Sequence, residues 1–321
     1  MFELLLSLVF STIITNADLP QINQLSFIDL IRHSSREQEM QVGGDVAGLA
    51  SLPLAKNKLA EPKKINHDSL GIEVTAEAGI LVDRASGKVL WQKDASQVRS
   101  IASLTKLMTV LVFLDNNPGW DEIVTIKDDD QRQGGVMFLA TGDKVTVRDL
   151  FYLSLVRSVN CSAAALARST GLTPEEFVQN MNSKAKELEM DNTYFVEPTG
   201  LDPKNISTAE DVVKLLDYVM QNNAIANATT LREYSVNILN KGTKRTAQST
   251  DWLLGGFLNQ EPYEILGGKT GYLVEAGYCL GLITEKQGHQ VISVMLGSKS
   301  ISDRFNDTKG IVDWGFRNYY W

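Results

Sequence analysis

The sequence predicts an α/β fold in which helices flank an antiparallel sheet and an all-helical subdomain is inserted between its strands. Apolar runs typical of β-hairpins occur near both ends of the region that reads as folded, and capped helices lie between them. A further helical segment follows the second hairpin. The order is therefore hairpin, helices, hairpin, helix, so the strands of one sheet come from both ends of the folded region.

The N-terminus is predicted to direct export. Residues 4–14 form an apolar stretch that is too short to span a bilayer and is typical of a signal peptide. Residues 15–17 offer a cleavage site, although Glu3 stands where a positive charge is usual. We expect residues 1–17 to be a signal peptide or a retained anchor. The protein would then work at the extracytoplasmic face of the cell envelope, in the periplasm or cell wall.

A linker and one folded domain are predicted after the signal segment. Residues 18–70 are largely polar with no sustained period, which favours a flexible linker. The folded domain is predicted over residues 71–321. Its first hairpin turns at Ala85-Ser86-Gly87 and its second at Lys286-Gln287-Gly288.

Several helices have recognisable starts. Side chains that can cap a helix stand three residues before an acidic residue, which is the pattern of a capping box. The pairs are Thr146 with Asp149, Thr173 with Glu176, and Ser207 with Glu210. Residues 303–321 are predicted to form a final helix, and residues 123–126 a short strand.

Charge and cysteine content exclude several functions. The net charge of −8 argues against nucleic acid and against an acidic membrane surface as partners. The chain has two cysteines, Cys161 and Cys279, and no Cys/His cluster typical of a zinc site, so we expect no metal and no other cofactor. A disulfide between them and two separate buried thiols both remain open.

The first chemical signal is the pair Ser103 and Lys106 at the start of an almost wholly apolar helix. A spacing of three places both side chains on one face of the first turn, where a desolvated amine can take the proton of the hydroxyl. Taken alone the pair is a weak signal, because a helix-capping serine followed by a solvent-exposed lysine produces the same S-x-x-K pattern. Burial of an unpaired ammonium is costly, which makes its position notable.

Two later motifs strengthen that interpretation. Ser158-Val159-Asn160 precedes an Ala-rich helix, and Lys269-Thr270-Gly271 enters a strand. The ordered set S-x-x-K, S-x-N and K-T-G matches the signature of β-lactamases and penicillin-binding proteins. From about residue 74 to the end, the chain resembles the low-molecular-mass penicillin-binding proteins that are serine D-alanyl-D-alanine carboxypeptidases. The resemblance implies a DD-peptidase/β-lactamase-like fold.

The resemblance also implies a role for each matching residue. Ser103 would be the nucleophile, Lys106 its base, Ser158 a proton relay, and Asn160 a partner of Lys106 and of the acyl-side amide. Substrate would bind along the strand of the third motif, with its carboxylate held by a set of residues and its oxyanion by backbone N–H groups of Ser103 and Tyr272. The implied substrate-binding residues are Lys269, Thr270, Gly271, Tyr272 and Arg304. For Arg304, a solvated surface position is the alternative.

The implied partners are peptidoglycan stem peptides as substrate and β-lactam antibiotics as covalent inhibitors. Many relatives carry a C-terminal β-rich domain and an amphipathic membrane-binding helix, whereas this sequence stops at DWGFRNYYW. Membrane attachment is therefore expected only through the N-terminus. Four positions also depart from the family's pattern: Cys161 after the second motif, Glu197 where Asn is frequent, and Gly134 and Gly135 where Ser is common.

Three other functions are weighed against the carboxypeptidase. A D,D-endopeptidase would use the same site on peptidoglycan cross-links. A β-lactamase needs a base for fast deacylation, and Glu176 with Asn180 matches the letters E-x-x-x-N, although Glu176 is better explained as a capping residue. An inactive peptidoglycan-binding protein is disfavoured by the intact set of polar motif residues.

Overall fold

The computed structural model describes residues 60–132, 134–135 and 137–321. The helices in this part of the chain are α1 (Thr105–Asp115), α2 (Val147–Val156), α3 (Asn160–Ser169), α4 (Pro174–Glu187), α5 (Ala209–Val219), α6 (Asn223–Thr229) and α7 (Ile301–Asn318). The longer strands are β2 (Ala78–Asp83), β3 (Val89–Lys93), β8 (Glu233–Ile238), β9 (Thr243–Gln248), β10 (Tyr263–Leu273), β11 (Gly277–Lys286) and β12 (His289–Ser298). The short ones are β1 (Lys63–Lys64), β4 (Arg99–Ser100), β5 (Ile123–Thr125), β6 (Lys144–Thr146), β7 (Ile206–Ser207) and β13 (Tyr319–Tyr320).

The main sheet confirms the predicted topology. Its strands lie in the order β10-β11-β12-β2-β3, and every neighbouring pair is antiparallel. The central pairing joins β12 to β2, with Val294 opposite Ile80. Both predicted hairpins are present, and the helices from α1 to α6 lie between them in the chain.

Both faces of this sheet are buried. Successive side chains of a strand point to opposite faces, and the side chains on each face belong to a separate hydrophobic core. On β2, Ile80 belongs to the core shared with the helical block, whereas Leu81 belongs to the core shared with α7. On β12, Val294 and Met295 divide in the same way. The sheet is therefore the middle layer of the domain.

Helix α1 runs through the larger core. Every residue from Thr105 to Phe113 is buried, including Lys106. A helix that is apolar on all sides is stable only inside a protein, which explains why this segment carries so little polar surface. The chain enters α1 through a 3-10 turn, Ala102–Leu104.

The folded unit begins earlier than residue 71, the boundary expected from the sequence. Strand β1 pairs with β13, and the backbone N–H of Ile65 donates to the carbonyl of Asn318 over 2.8 Å. Trp314 Nε1 also donates to Ser69 Oγ over 2.7 Å. Polar composition suggested a linker, but these residues are held by α7 and the strand that follows it.

Two helix boundaries differ slightly from the prediction. The capping boxes at Thr146 and Thr173 are confirmed. For α5, however, the capping residue is Thr208, whose hydroxyl accepts from the N–H of Asp211, and not Ser207. The final helix spans Ile301–Asn318 and gives way to β13 at the C-terminus.

Two other expectations have a clear outcome in the described residues. Cys161 and Cys279 are both buried free thiols, so they form no disulfide with each other. Among the helices that the structure describes, none combines the length and the apolar character needed to cross a membrane.

Candidate active site

The turn before α1 brings Ser103 and Lys106 together. Lys106 Nζ lies 2.8 Å from Ser103 Oγ, within hydrogen-bond distance. Ala102, which begins the turn, has φ of +47°, a left-handed conformation that is unusual for a residue with a Cβ. Such a conformation persists when the surrounding structure enforces it, and it directs Ser103 towards the lysine of the next turn.

Lys106 is fully buried, with 0% of its surface exposed. Besides Ser103 Oγ, its Nζ contacts Asn160 Oδ1 at 2.7 Å and the carbonyl oxygen of Thr199 at 2.5 Å. These three oxygens match the three donors of an ammonium group. Burial lowers the pKa of Lys106 to about 7, and the negative charge of Glu197 opposes that shift. Near neutral pH the amine can therefore both accept and donate a proton.

Ser158 and Lys269 form a second pair in the same site. Lys269 Nζ donates to Ser158 Oγ over 2.8 Å and to the carbonyl of Thr270 over 2.9 Å. Ser158 lies between α2 and α3 with φ of +60°, so its position is also enforced by the fold. Burial, aided by the positive charges of Lys106 and Arg304, lowers the pKa of Lys269 well below its usual value.

Asn160, the first residue of α3, links Lys106 to the segment around residue 134. Its Oδ1 accepts from Lys106, and its Nδ2 donates to the carbonyl of Gly134 over 3.0 Å. A Cβ at Gly135 would lie 2.7 Å from that Nδ2, and Gly135 has φ of +78°. The glycines that depart from the family's pattern thus leave room for the amide that orients Lys106.

Strand β10 approaches the serine turn closely. A Cβ on Gly271 would stand 3.0 Å from the carbonyl of Ile101 and 3.1 Å from the backbone nitrogen of Ser103. A side chain here would therefore be accommodated only if β10 or the serine turn gave way by a few tenths of an ångström. The side chain of Tyr272 is half-exposed and stacks on Tyr278, with ring centroids 4.3 Å apart.

Arg304 is buried, so the surface alternative for this residue is wrong. It is 5% exposed, its Nη1 donates to the carbonyl of Gly271 over 3.0 Å, and its guanidinium lies over the ring of Phe305. Neighbouring Thr270 shares a 2.6 Å hydrogen bond with Thr250 through their hydroxyls. The predicted residues of the third motif and Arg304 therefore form one contiguous cationic wall.

Asp251 is a buried acid beside this wall that the sequence did not identify. Its Oδ1 accepts from the N–H of Leu253 over 2.9 Å. Burial raises its pKa to about 6, while the charges of Arg304 and Lys269 act in the opposite direction. No motif marks it, because its place in the site depends on the path of the chain before β10.

Glu176, considered above as a base for deacylation, and other polar residues outside the site have structural roles. Glu176 accepts from the N–H of Thr173 over 2.8 Å, as a capping residue does. The acidic run Asp128–Asp130 is a short 3-10 helix in which Asp130 pairs with Arg168 at 2.7 Å. Among the described residues, no cluster of His, Cys, Asp and Glu could hold a metal ion. His289 is exposed, whereas His33 lies outside the described residues.

Comparisons with known proteins identify the family of the chain. The family model of D-alanyl-D-alanine carboxypeptidase, peptidase S11, matches residues 62–300. The D-alanyl-D-alanine endopeptidase of Pseudomonas aeruginosa is 32% identical over 266 residues, which cover 82% of this chain and 84% of the relative. D-alanyl-D-alanine carboxypeptidase DacC of Escherichia coli is 34% identical over 260 residues, covering 76% of this chain and 62% of the relative.

Among solved structures, the chain is similar to the Streptomyces K15 DD-transpeptidase. The two share 30% sequence identity with a TM-score of 0.69, over 78% of this chain and 100% of the Streptomyces chain. This likeness confirms the predicted DD-peptidase-like fold.

Proposed function

The chain belongs to the D-alanyl-D-alanine carboxypeptidase family, peptidase S11, and from this we propose that it removes the terminal D-Ala of peptidoglycan stem pentapeptides as a serine-type D-Ala-D-Ala carboxypeptidase. One observation carries the proposal: the 2.8 Å contact of Lys106 Nζ with Ser103 Oγ at a buried position where the pKa of the amine is about 7. A base acts best when its pKa is close to the working pH.

Acylation begins with neutral Lys106. In that form the amine keeps two hydrogens, which can go to Asn160 Oδ1 and the Thr199 carbonyl, and a lone pair that accepts the hydroxyl proton of Ser103. The serine oxygen attacks the carbonyl carbon of the penultimate D-Ala, and a tetrahedral oxyanion forms. Backbone N–H groups of Ser103 and Tyr272 bind that oxyanion, an interaction that strengthens as charge develops.

The leaving amine needs a proton when the C–N bond breaks. Ser158 Oγ supplies it as the relay, and Lys269 Nζ, which donates to that oxygen over 2.8 Å, favours the loss of its proton. The proton that Lys106 took from Ser103 replaces the one that Ser158 gives. Free D-Ala departs, and water then attacks the ester at Ser103 to release the shortened peptide and regenerate the hydroxyl.

A cationic wall binds the terminal carboxylate of the substrate. Arg304 supplies buried positive charge, Lys269 supplies a buried amine whose charged form a bound carboxylate would favour, and the hydroxyl of Thr270 supplies a hydrogen bond. Charged donors to a carboxylate form stronger bonds than neutral ones, particularly away from water. The acyl part of the substrate would lie along β10 as an added strand.

A D,D-endopeptidase acting on peptidoglycan cross-links is the second candidate. The relative from Pseudomonas aeruginosa carries the name endopeptidase and is matched over 84% of its length. The chemistry is shared, since a cross-link also presents a D-Ala carbonyl to the serine. We further propose that the protein works at the extracytoplasmic face of the cell envelope, directed there by its N-terminal segment. β-Lactams would acylate Ser103.

The test is incubation of the purified protein with a pentapeptide, with a cross-linked muropeptide dimer and with penicillin. Release of free D-Ala from the pentapeptide is the result expected of a carboxypeptidase. Cleavage of the dimer without that release would favour the endopeptidase, and rapid turnover of penicillin would favour a β-lactamase. No reaction with any of the three would overturn the proposal.

A further inference from the structure

Glu197 stands at the centre of a tight turn that no motif includes. Its Oε2 accepts from the N–H of Thr199 over 2.6 Å and from the hydroxyl of the same residue over 2.5 Å. Its Oε1 accepts from the N–H groups of Gly200 and Leu201 over 2.5 and 2.9 Å, and from Asn205 Nδ2 over 3.0 Å. Charge-assisted hydrogen bonds of this kind are strong, so one carboxylate fixes the path of the turn.

The same turn is pressed against the serine turn. Gly200 has φ of +78°, and a Cβ there would lie 2.1 Å from the carbonyl oxygen of Ala102. The bonds to Glu197 fix the shape of the turn that lies against the serine turn, and with it the direction of the Thr199 carbonyl. That carbonyl oxygen accepts from Lys106 Nζ over 2.5 Å. Glu197 thus determines where one of the three acceptors of Lys106 stands.

Glu197 also contributes charge at Lys106. The titratable groups facing that amine are Glu197, Cys161 and, from β10, Lys269. Cys161 is a buried thiol whose own pKa is raised by burial, so it is neutral near pH 7. Lys269 is a cation or a neutral amine and gives no stabilisation to an ammonium. Within the described residues, the carboxylate of Glu197 is the anion that favours protonated Lys106.

We propose that Glu197 is a positioning residue for Lys106: it holds the Thr199 carbonyl against Nζ and provides the negative charge that lets Lys106 keep the proton taken from Ser103. The inference rests on the proposed function, in which Lys106 is the base. During acylation the amine passes from neutral to charged, and a fixed anion stabilises the charged form without any rearrangement. Glu197, which stands where the family frequently has Asn, therefore has a specific role in positioning and charging Lys106.

The test is the pH dependence of the second-order rate of acylation by a fluorescent penicillin, measured for wild type, Glu197→Gln and Glu197→Asp. In Glu197→Gln the neutral form of Lys106 is favoured, so the acid limb of the profile moves to lower pH by about one unit. The plateau falls as well, because the amide cannot accept at both positions of the turn. Glu197→Asp keeps the charge, so its limb stays in place while its plateau falls.

Glu187→Gln is the matched control, since it removes an exposed carboxylate paired only with Lys184 and leaves the profile unchanged. If Glu197→Gln lowers the plateau without moving the limb, the residue is merely structural and the inference is wrong. If Glu197→Gln does not fold, a shifted limb or an unchanged plateau in Glu197→Asp overturns it instead. A wild-type protein that is not acylated at all would contradict the proposed function and not this inference alone.

Discussion

Lys106 Nζ contacts Ser103 Oγ at 2.8 Å from inside a helix that is buried over its first nine residues. The amine is held there by Asn160 and by the carbonyl of Thr199, with no surface exposed to water. Desolvation is what brings its pKa close to neutrality. The apolar helix around the lysine is therefore part of the chemistry, since a wetter position would leave the amine protonated.

The rate of acylation should rise with pH through the pKa of Lys106, about 7. Below that pH the amine is protonated and cannot accept the proton of Ser103, whereas above it the neutral base predominates. The measurement is kcat/KM for D-Ala release from a pentapeptide between pH 5 and pH 9. A flat profile across this range would show that no group with a pKa near 7 governs acylation.

Replacement of Gly271 should damage the site by sterics. In Gly271→Ala the new Cβ would stand 3.0 Å from the carbonyl of Ile101 and 3.1 Å from the nitrogen of Ser103, so β10 or the serine turn must shift by a few tenths of an ångström. We expect the acylation rate to fall more than about tenfold, with a stability loss of about 1–3 kcal/mol. Stopped-flow acylation and thermal unfolding measure the two effects.

Gly255→Ala is the control for that experiment, because a Cβ at Gly255 would meet open space and its φ is not in the left-handed region. Its acylation rate should match that of wild type. Equal rates in the Gly271 and Gly255 variants would mean that the close approach of β10 is not required.

The residues before β2 should add to stability. A chain starting at residue 60 keeps β1 and Ser69, whereas one starting at residue 72 loses the pairing with β13 and the bond from Trp314. Each lost hydrogen bond is worth about 1 kcal/mol, so the shorter chain should unfold at a lower temperature. Calorimetry of both chains measures the two unfolding temperatures. Identical values would mean that residues 60–71 add no stability, as expected of a linker that ends at residue 70.

Local patterns predicted the sheet, the Ser103–Lys106 pair and the other polar motif residues of the site, but not the contact between Ser158 and Lys269. Hairpins and capping boxes depend on neighbouring residues, and the ordered motifs identify Ser103, Lys106, Ser158, Asn160 and Lys269. The hairpin of β8 and β9 was not predicted, because β9 (Thr243–Gln248) is polar and largely exposed. Its register is set by the packing of its partner strand β8 on the helical block.

The rest of the site depends on contacts that no sequence pattern predicts. A backbone carbonyl such as that of Thr199 can bind Lys106 whatever its side chain, so no residue type marks it. Glu197 stood out in the sequence only as a departure from a family pattern. Its relation to Lys106 follows from the path of the turn between them, which only the structure shows.

Lys106→Met tests the central claim most directly. The helix is apolar around this position, so the variant should fold, with a free energy of unfolding within about 2 kcal/mol of wild type once the loss of the donor to the three oxygens around Nζ is included. After incubation with penicillin, intact mass and peptide mapping should find a covalent adduct on Ser103 in wild type and none in the folded variant on the same time scale. An adduct formed at the wild-type rate in Lys106→Met would show that Lys106 is not the base.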